Sequence, residues 1–533
     1  MCTATPMRPV RKQQVHDRPV IFRIGARDEI HDWRCRIRAG TVARILGLLC
    51  ALILASVSLA RADVGVVLNE SLPTGGDRIS RTGHSAVYFS RICPESPVKL
   101  RLCGAGEHGS ILSNYTGFGE TEPFDWNITP LGVFLYGSED PRHWPLVGTA
   151  KIKSAIEERY RERYLAAYCP GAPCATNEKA DWRDMAGAGL SRNIYIFVVE
   201  TSAEQDRELI QKFNALPNKN HFNAITRNCA DFTRDVINTY FPNAARPEYL
   251  NDFGMKSPKA IARSFTHYAE KHPELKLRVL HFAQVQGTIK RSTEVRDGTE
   301  QLYRSTIFAV PLALASEYAL PAAFAIYGLT GRFNPEHEWE ARPTLREAEI
   351  EEQLRAAKAD KNEAEVARLK NAEREERKRI LGTDEDWEGY RRELRSMTEE
   401  AAELGIISGR KFADSIFDQL GNAGTPYFDA KGGMWIPVTE GERIARLGVS
   451  TSNVLAPGSD PKLAYRLLLA RTERALKSPK RSRQTLVDFR VEWKLLEAAR
   501  RRVVVQAAGL ESQSQGKARR DRQSEGASDG GDE

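Results

Sequence analysis

Asn228-Cys229-Ala230-Asp231-Phe232 opens an amphipathic segment in which Phe232, Val236 and Tyr240, with Ile237 and Phe241, recur at helical spacing. A cysteine at a helix start meets free backbone N–H groups and the positive end of the helix dipole, and both favour thiolate over thiol. Asn228 and Asp231 are capping residue types at capping positions, so they are read as closing the helix rather than as catalytic. Upstream, the apolar run from Ile194 to Val199, rich in β-branched and aromatic residues, predicts a central strand. Ser202 and Gln205, in capping-box spacing, start a helix that ends at Pro217-Asn218. This order specifies an α+β unit with the cysteine helix packed on a sheet.

Far upstream, Gly83-His84-Ser85-Ala86-Val87-Tyr88-Phe89 reads as a second strand. Its alternation puts His84, Ala86 and Tyr88 on one face and Ser85, Val87 and Phe89 on the other. A thiol nucleophile needs a base, which here is His84, and a third polar group to orient the imidazole. The N–H of Cys229 can serve as one oxyanion donor. The competing reading makes Cys229 a buried small hydrophobe and His84 a satisfied strand histidine. His221 is close to Cys229 in sequence and equally well a surface residue.

The compartment decides how the other cysteines are read. A basic stretch (Arg34, Arg36, Arg38, Arg44) precedes the apolar run from Ile45 to Leu59, and Ala60-Arg61-Ala62 gives a small-x-small cleavage pattern. The run is shorter than the roughly 20 residues of a membrane span, so residues 1–62 are expected to be an N-terminal extension and signal peptide. Export removes Cys2, Cys35 and Cys50 and leaves Cys93, Cys103, Cys169, Cys174 and Cys229. The close pairs Cys93/Cys103 and Cys169/Cys174 are natural disulfides in an oxidising compartment, and Cys229 is then the odd thiol. A zinc site built from the four loop cysteines lacks CxxC spacing.

A chain of 533 residues, 41% hydrophobic and 28% charged, is long enough for two or three folded units. Its formal charge of +7 owes much to the Arg-rich N-terminal extension and does not indicate nucleic-acid binding. Residues 63–285 form the first unit, with an irregular, cleft-shaping segment at 104–145 rich in Gly, Pro, Asn and aromatics. A connector, 286–340, carries the apolar run Ile307 to Leu329, broken by Pro311, Glu317 and Pro321. That run is a membrane-spanning helix or a buried or interfacial hairpin. Residues 341–510 are charged and helical, with a small β patch at 424–460, and 511–533 have the composition of a disordered tail. Asn69, Asn114 and Asn127 head glycosylation acceptor triplets. Glu336-His337-Glu338 lacks metal-binding His spacing, and no phosphate-cradling glycine loop is present, so no cofactor or metal is expected.

The two motifs together resemble the papain-like cysteine hydrolases of the NlpC superfamily, in the circularly permuted branch where the histidine strand precedes the cysteine helix. Lecithin–retinol acyltransferase-like proteins carry an Asn-Cys pair at the corresponding point. The segment from Ile194 through Asn228-Cys229 and the following Arg234-Asp235 is most similar to the Lnb N-terminal periplasmic family. The resemblance covers roughly 63–285. It implies an antiparallel sheet with packed helices, followed here by a mainly α-helical C-terminal region. It also implies Cys229 as nucleophile, His84 as base, and a third polar residue on the strand after His84, with His108 first and Asn114 second. The activity implied is amide or ester cleavage, or acyl transfer, on a cell-envelope peptide, peptidoglycan or lipid substrate. The alternative is a non-catalytic envelope scaffold or binding protein.

Overall fold

A computed structural model describes residues 62–72, 83–114, 125–167, 185–219, 227–252, 254, 256–304, 306–330, 332–409, 411–477 and 485–525. Residues 1–61 of the expected signal segment, the Cys169/Cys174 pair and His221 lie outside the described residues.

The chain is α+β. Six strands form one antiparallel sheet: β1 (Ala62–Asn69), β2 (His84–Phe89), β5 (Ser110–Ser113), β6 (Asn127–Pro130), β7 (Ile194–Thr201) and β8 (Arg278–Phe282), in the order β6-β5-β2-β1-β7-β8. Between β2 and β5 a small hairpin of β3 (Ile92–Ser96) and β4 (Lys99–Leu102) is stapled by the Cys93–Cys103 disulfide. That bond also takes two of the four cysteines a loop zinc site would need.

Each face of the sheet is covered. On one, Val66, Leu68, Val87, Phe89 and Phe197 pack against α3 (Ala203–Ala215), α4 (Cys229–Tyr240) and α5 (Pro258–Lys271). On the other, Val67, Ala86, Tyr88, Ile111 and Ile196 meet Phe134 and Leu135 of α1 (Leu131–Tyr136). Central strand β7 is apolar throughout because both of its sides are buried. The segment 104–145, read as irregular, holds β5, β6 and α1. Strands of four residues between glycines and prolines are too short to show an alternating pattern. Asn69, Asn114 and Asn127 are all buried, so none is a surface glycan acceptor in the folded chain.

After β8 the chain runs through α6 (Gly298–Arg304), α7 (Thr306–Ala315), α8 (Ala319–Thr330) and α9 (Pro335–Ala341). The apolar run 307–329 thus folds as two short helices. Among the described residues no helix is long and apolar enough to cross a membrane.

The helices α10 (Leu345–Ala359), α11 (Glu363–Leu381), α12 (Asp384–Glu403) and α13 (Phe412–Asn422) lead to a small sheet of β9 (Tyr427–Phe428), β10 (Met434–Glu440) and β11 (Arg443–Gly448). Two further helices close the chain, α14 (Pro461–Lys477) and α15 (Thr485–Glu525). The tail expected to be disordered from 511 continues α15 as far as Glu525, since no proline interrupts it. Nor does the C-terminal region keep a core of its own. Leu146, Ile152, Ile156 and Tyr160, the last three on α2 (Ala150–Tyr160), share one apolar cluster with Trp387, Met397, Phe417, Leu467 and Trp493. Leu146 N–H donates to Val449 C=O at 2.7 Å, and the buried Arg471 guanidinium donates to Leu146 C=O and pairs with Glu492. The boundary expected near 285–341 therefore separates stretches of sequence but does not divide the core.

Candidate active site

The N-terminus of α4 is fixed from three sides. Asn228 accepts the N–H groups of Ala230 and Asp231 at 2.8 and 3.0 Å, and the Asp231 carboxylate reaches back to Asn228 N–H at 3.3 Å, completing a capping box. The Asn228 amide also donates to Lys256 C=O at 3.0 Å, and Lys256 pairs with Asp231. Deeper in the helix, Thr233 and Ile237 are fully buried against the sheet. The first turn is thus held rigidly, with Cys229 half-buried and not in a disulfide.

The sulfur of Cys229 meets β2 at Ser85. The N–H and the hydroxyl of Ser85 face it, as does the N–H of Ala230. Burial nevertheless pushes the thiol above its ordinary value, outweighing those donors. Thr233 donates to the Ser85 hydroxyl at 3.2 Å, which leaves the Ser85 proton for the sulfur. The position has a topological cause. β5 pairs with β2 only from Val87 to Phe89, so the edge of β2 facing β5 is open at His84 and Ser85. Backbone N–H groups lie in the plane of a sheet, so a sulfur that takes one sits at the strand edge, between the two faces.

His84 is the neighbour of Ser85 on β2, buried, and opposite Asn69 of β1 in the register. Alternation places it on the face opposite α4, with Ala86 and Tyr88. The amide of Asn69, fully buried, has neither its oxygen nor its nitrogen hydrogen-bonded among the described residues.

His108 does not join this site. The β2–β5 register pairs Phe89 with Ser110, so His108 precedes β5 at the far end of β2, about 20 Å along the strand from His84. It is also exposed. The assignment fails because β5 runs antiparallel to β2: residues early in β5 lie far from the start of β2. Asn114, at the other end of β5, is the candidate the fold brings near. Continuing the register sets it across from Ser85. It is buried, donates to the Asp125 carbonyl and carboxylate at 2.6 and 2.7 Å, and keeps its own oxygen without a hydrogen bond among the described residues. Asp125 in turn pairs with Arg227 at 3.0 Å, two residues before the thiol.

Beside this turn runs a cleft of ≈ 280 Å³. Its apolar wall is Trp126, Phe213, Leu216 and Phe232, its polar lining mixes Arg227, Arg234 and Lys256 with Asp125, Asp231 and Asp235, and Cys229 borders it without lining it. Trp126 meets Phe213 edge-on at 5.4 Å. Such a surface suits a ligand with an apolar part and a polar end. Ser85, Thr233, Asn69 and the Asp125–Arg227 pair were not singled out from sequence. Only Ser85, next to His84 and on the α4 side of the strand, carried a usable signal.

No family model, curated protein or solved structure matches this chain.

Proposed function

We propose that the protein is an exported thiol hydrolase or acyl-transfer enzyme acting on an amide or ester of the cell envelope. The observation that carries this reading is a thiol outside any disulfide, set at a rigidly capped helix start against Ser85 of β2 and beside a cleft. In the reaction, the Cys229 sulfur attacks the carbonyl carbon and its proton passes to the His84 imidazole, which starts on the face away from α4 and reaches the sulfur only around the open edge of β2. The carbon–nitrogen or carbon–oxygen bond then breaks, and His84 returns the proton to the departing amine or alcohol. Water or another acceptor attacks the thioester carbon and gives its proton to His84; the carbon–sulfur bond breaks, and the departing sulfur takes that proton back. The Cys229 N–H faces the oxyanion in both halves. The cleft takes the apolar part of the substrate, which is a peptide, a peptidoglycan fragment or an acylated lipid.

A second reading has one observation in its favour. The thiol is pushed up by burial and the His84 side chain lies on the face away from α4, as a non-catalytic envelope scaffold allows. An electrophilic thiol probe separates the two. Labelling of the mature chain that is lost in Cys229→Ser and falls sharply in His84→Ala supports the enzyme. Absence of labelling, or labelling that survives Cys229→Ser, leaves the scaffold.

A further inference from the structure

Helices α7 and α8 form a hairpin whose surface is apolar almost all the way round. Val310, Leu314, Tyr318, Phe324 and Leu329 are 55%, 84%, 73%, 63% and 86% exposed, while Ala323 is the buried side chain of α8. From Ser305 to Gly331 the sequence holds no lysine or arginine and one acid, Glu317, in the turn between the helices. Arg304 ends the helix before this stretch, and exposed Arg332 follows it. The helices are 10 and 12 residues long, about 15 and 18 Å, roughly half the thickness of a bilayer's hydrocarbon core.

A helix that fits a protein groove carries an apolar stripe and a polar back. Among the described residues this hairpin has no polar back: both helices pack on α6 and on each other, and the described remainder of their surface is apolar. An apolar medium bordered by anions satisfies that surface and the flanking arginines together. Because Glu317 caps the far end, the hairpin keeps both ends at the polar level. Insertion tip-first would carry a carboxylate toward the bilayer centre at a cost of about 2.5–3.5 kcal/mol on insertion scales.

We infer that α7 and α8 lie flat in an anionic lipid surface, as an interfacial seat and not as a span. The seat is braced to the thiol site. The segment 251–257 receives the Gly298 N–H of α6 on Asp252 at 2.8 Å, and the Thr299 N–H on Asn251 C=O at 2.7 Å. In the same segment, the carbonyl of Lys256 receives the Asn228 amide that caps α4. Lys259 of α5 stands 5.8 Å from the ring of Tyr327 on α8. The inference does not depend on Cys229 being a nucleophile.

Flotation of the mature chain with vesicles tests it. Binding to phosphatidylcholine vesicles containing phosphatidylglycerol is expected, stronger than to phosphatidylcholine alone. It should fall about tenfold or more in Leu314→Glu/Leu329→Glu, two exposed positions whose burial the lipid provides. Equal flotation of the double variant overturns the inference. So does a wild-type dimer in sedimentation that the same variant dissociates, which would assign the surface to a second copy. Tyr318→Trp gives a readout that does not depend on the folding of the charged variant. Its fluorescence should be quenched best by bromines near the headgroups, and best quenching by bromines at the bilayer centre overturns the flat orientation.

Discussion

Thr233, one turn into α4, donates its hydroxyl to Ser85 at 3.2 Å, and Ser85 passes its own to the sulfur of Cys229. A relay of this direction stabilises a sulfur that carries negative charge more than one that carries a proton. It works against the burial that pushes the thiol up, so the acidity of Cys229 depends on a residue outside its helix cap.

Ser85→Ala should therefore raise the thiol pKa further. A hydrogen bond to a charged group is worth about 1.5–3 kcal/mol, so alkylation of Cys229 by iodoacetamide at neutral pH should slow about tenfold or more. The deficit should vanish at pH values above both pKa values, where each protein is fully thiolate. A uniform slowing across all pH values would instead indicate lost access.

Asn228→Ala removes the acceptor for two α4 N–H groups and the donor to Lys256. Loss of such a cap costs about 1–2 kcal/mol, visible as a lower denaturation midpoint with an unchanged slope. Asn228→Asp should recover most of the stability, since it restores the acceptor.

Lys259 and Glu300 form an ion pair at 2.6 Å with side chains only 5% and 2% exposed. Lys259→Met leaves a buried carboxylate uncompensated and should destabilise by about 3–5 kcal/mol. Adding Glu300→Gln, which keeps a carbonyl oxygen for the Asp297 N–H, should recover much of the loss in chemical denaturation. If the second substitution worsens the first, the pair is not the unit that holds α5 to α6.

His281 stacks between Tyr195 and Trp339, and burial pushes its pKa down to about 4. The unfolded chain takes up the proton near 6.5 and the folded one only near 4. Its contribution is thus fully present above 6.5 and lost as pH falls from there to about 4, on the order of 3 kcal/mol. Asp297, pushed up to about 6 by burial, acts in the opposite sense: its contribution is present at low pH and lost as pH rises through about 6. The difference between wild type and His281→Phe isolates the histidine. The variant should lose less stability between pH 6.5 and 4, and parallel curves would refute the assignment.

Much of this site was legible where the signal is local. The helix start at Cys229, the capping box of α3 at Ser202 and Gln205, and the alternation of β2 follow from residues within one turn or one strand. The meeting of Ser85 with Cys229 was not legible. It depends on β5 being too short to pair with the first residues of β2, a fact about a strand 25 residues further on. His108 was misplaced for the same reason, because antiparallel pairing reverses which end of β5 lies near His84. The shared core escaped notice differently. Helices such as α12 carry so many charges that the burial of Trp387, Leu394 and Met397 on one stripe is hidden in the average composition.

That shared core also sets a timetable. Leu146, Ile152 and Tyr160 leave the ribosome hundreds of residues before Leu467 and Trp493, the side chains they are buried with. Until the last helices emerge, the first third of the chain holds an unclosed apolar surface and cannot complete its packing. The native state is thus completed only after the last helices are synthesised, and the first third waits for them with part of its apolar surface uncovered.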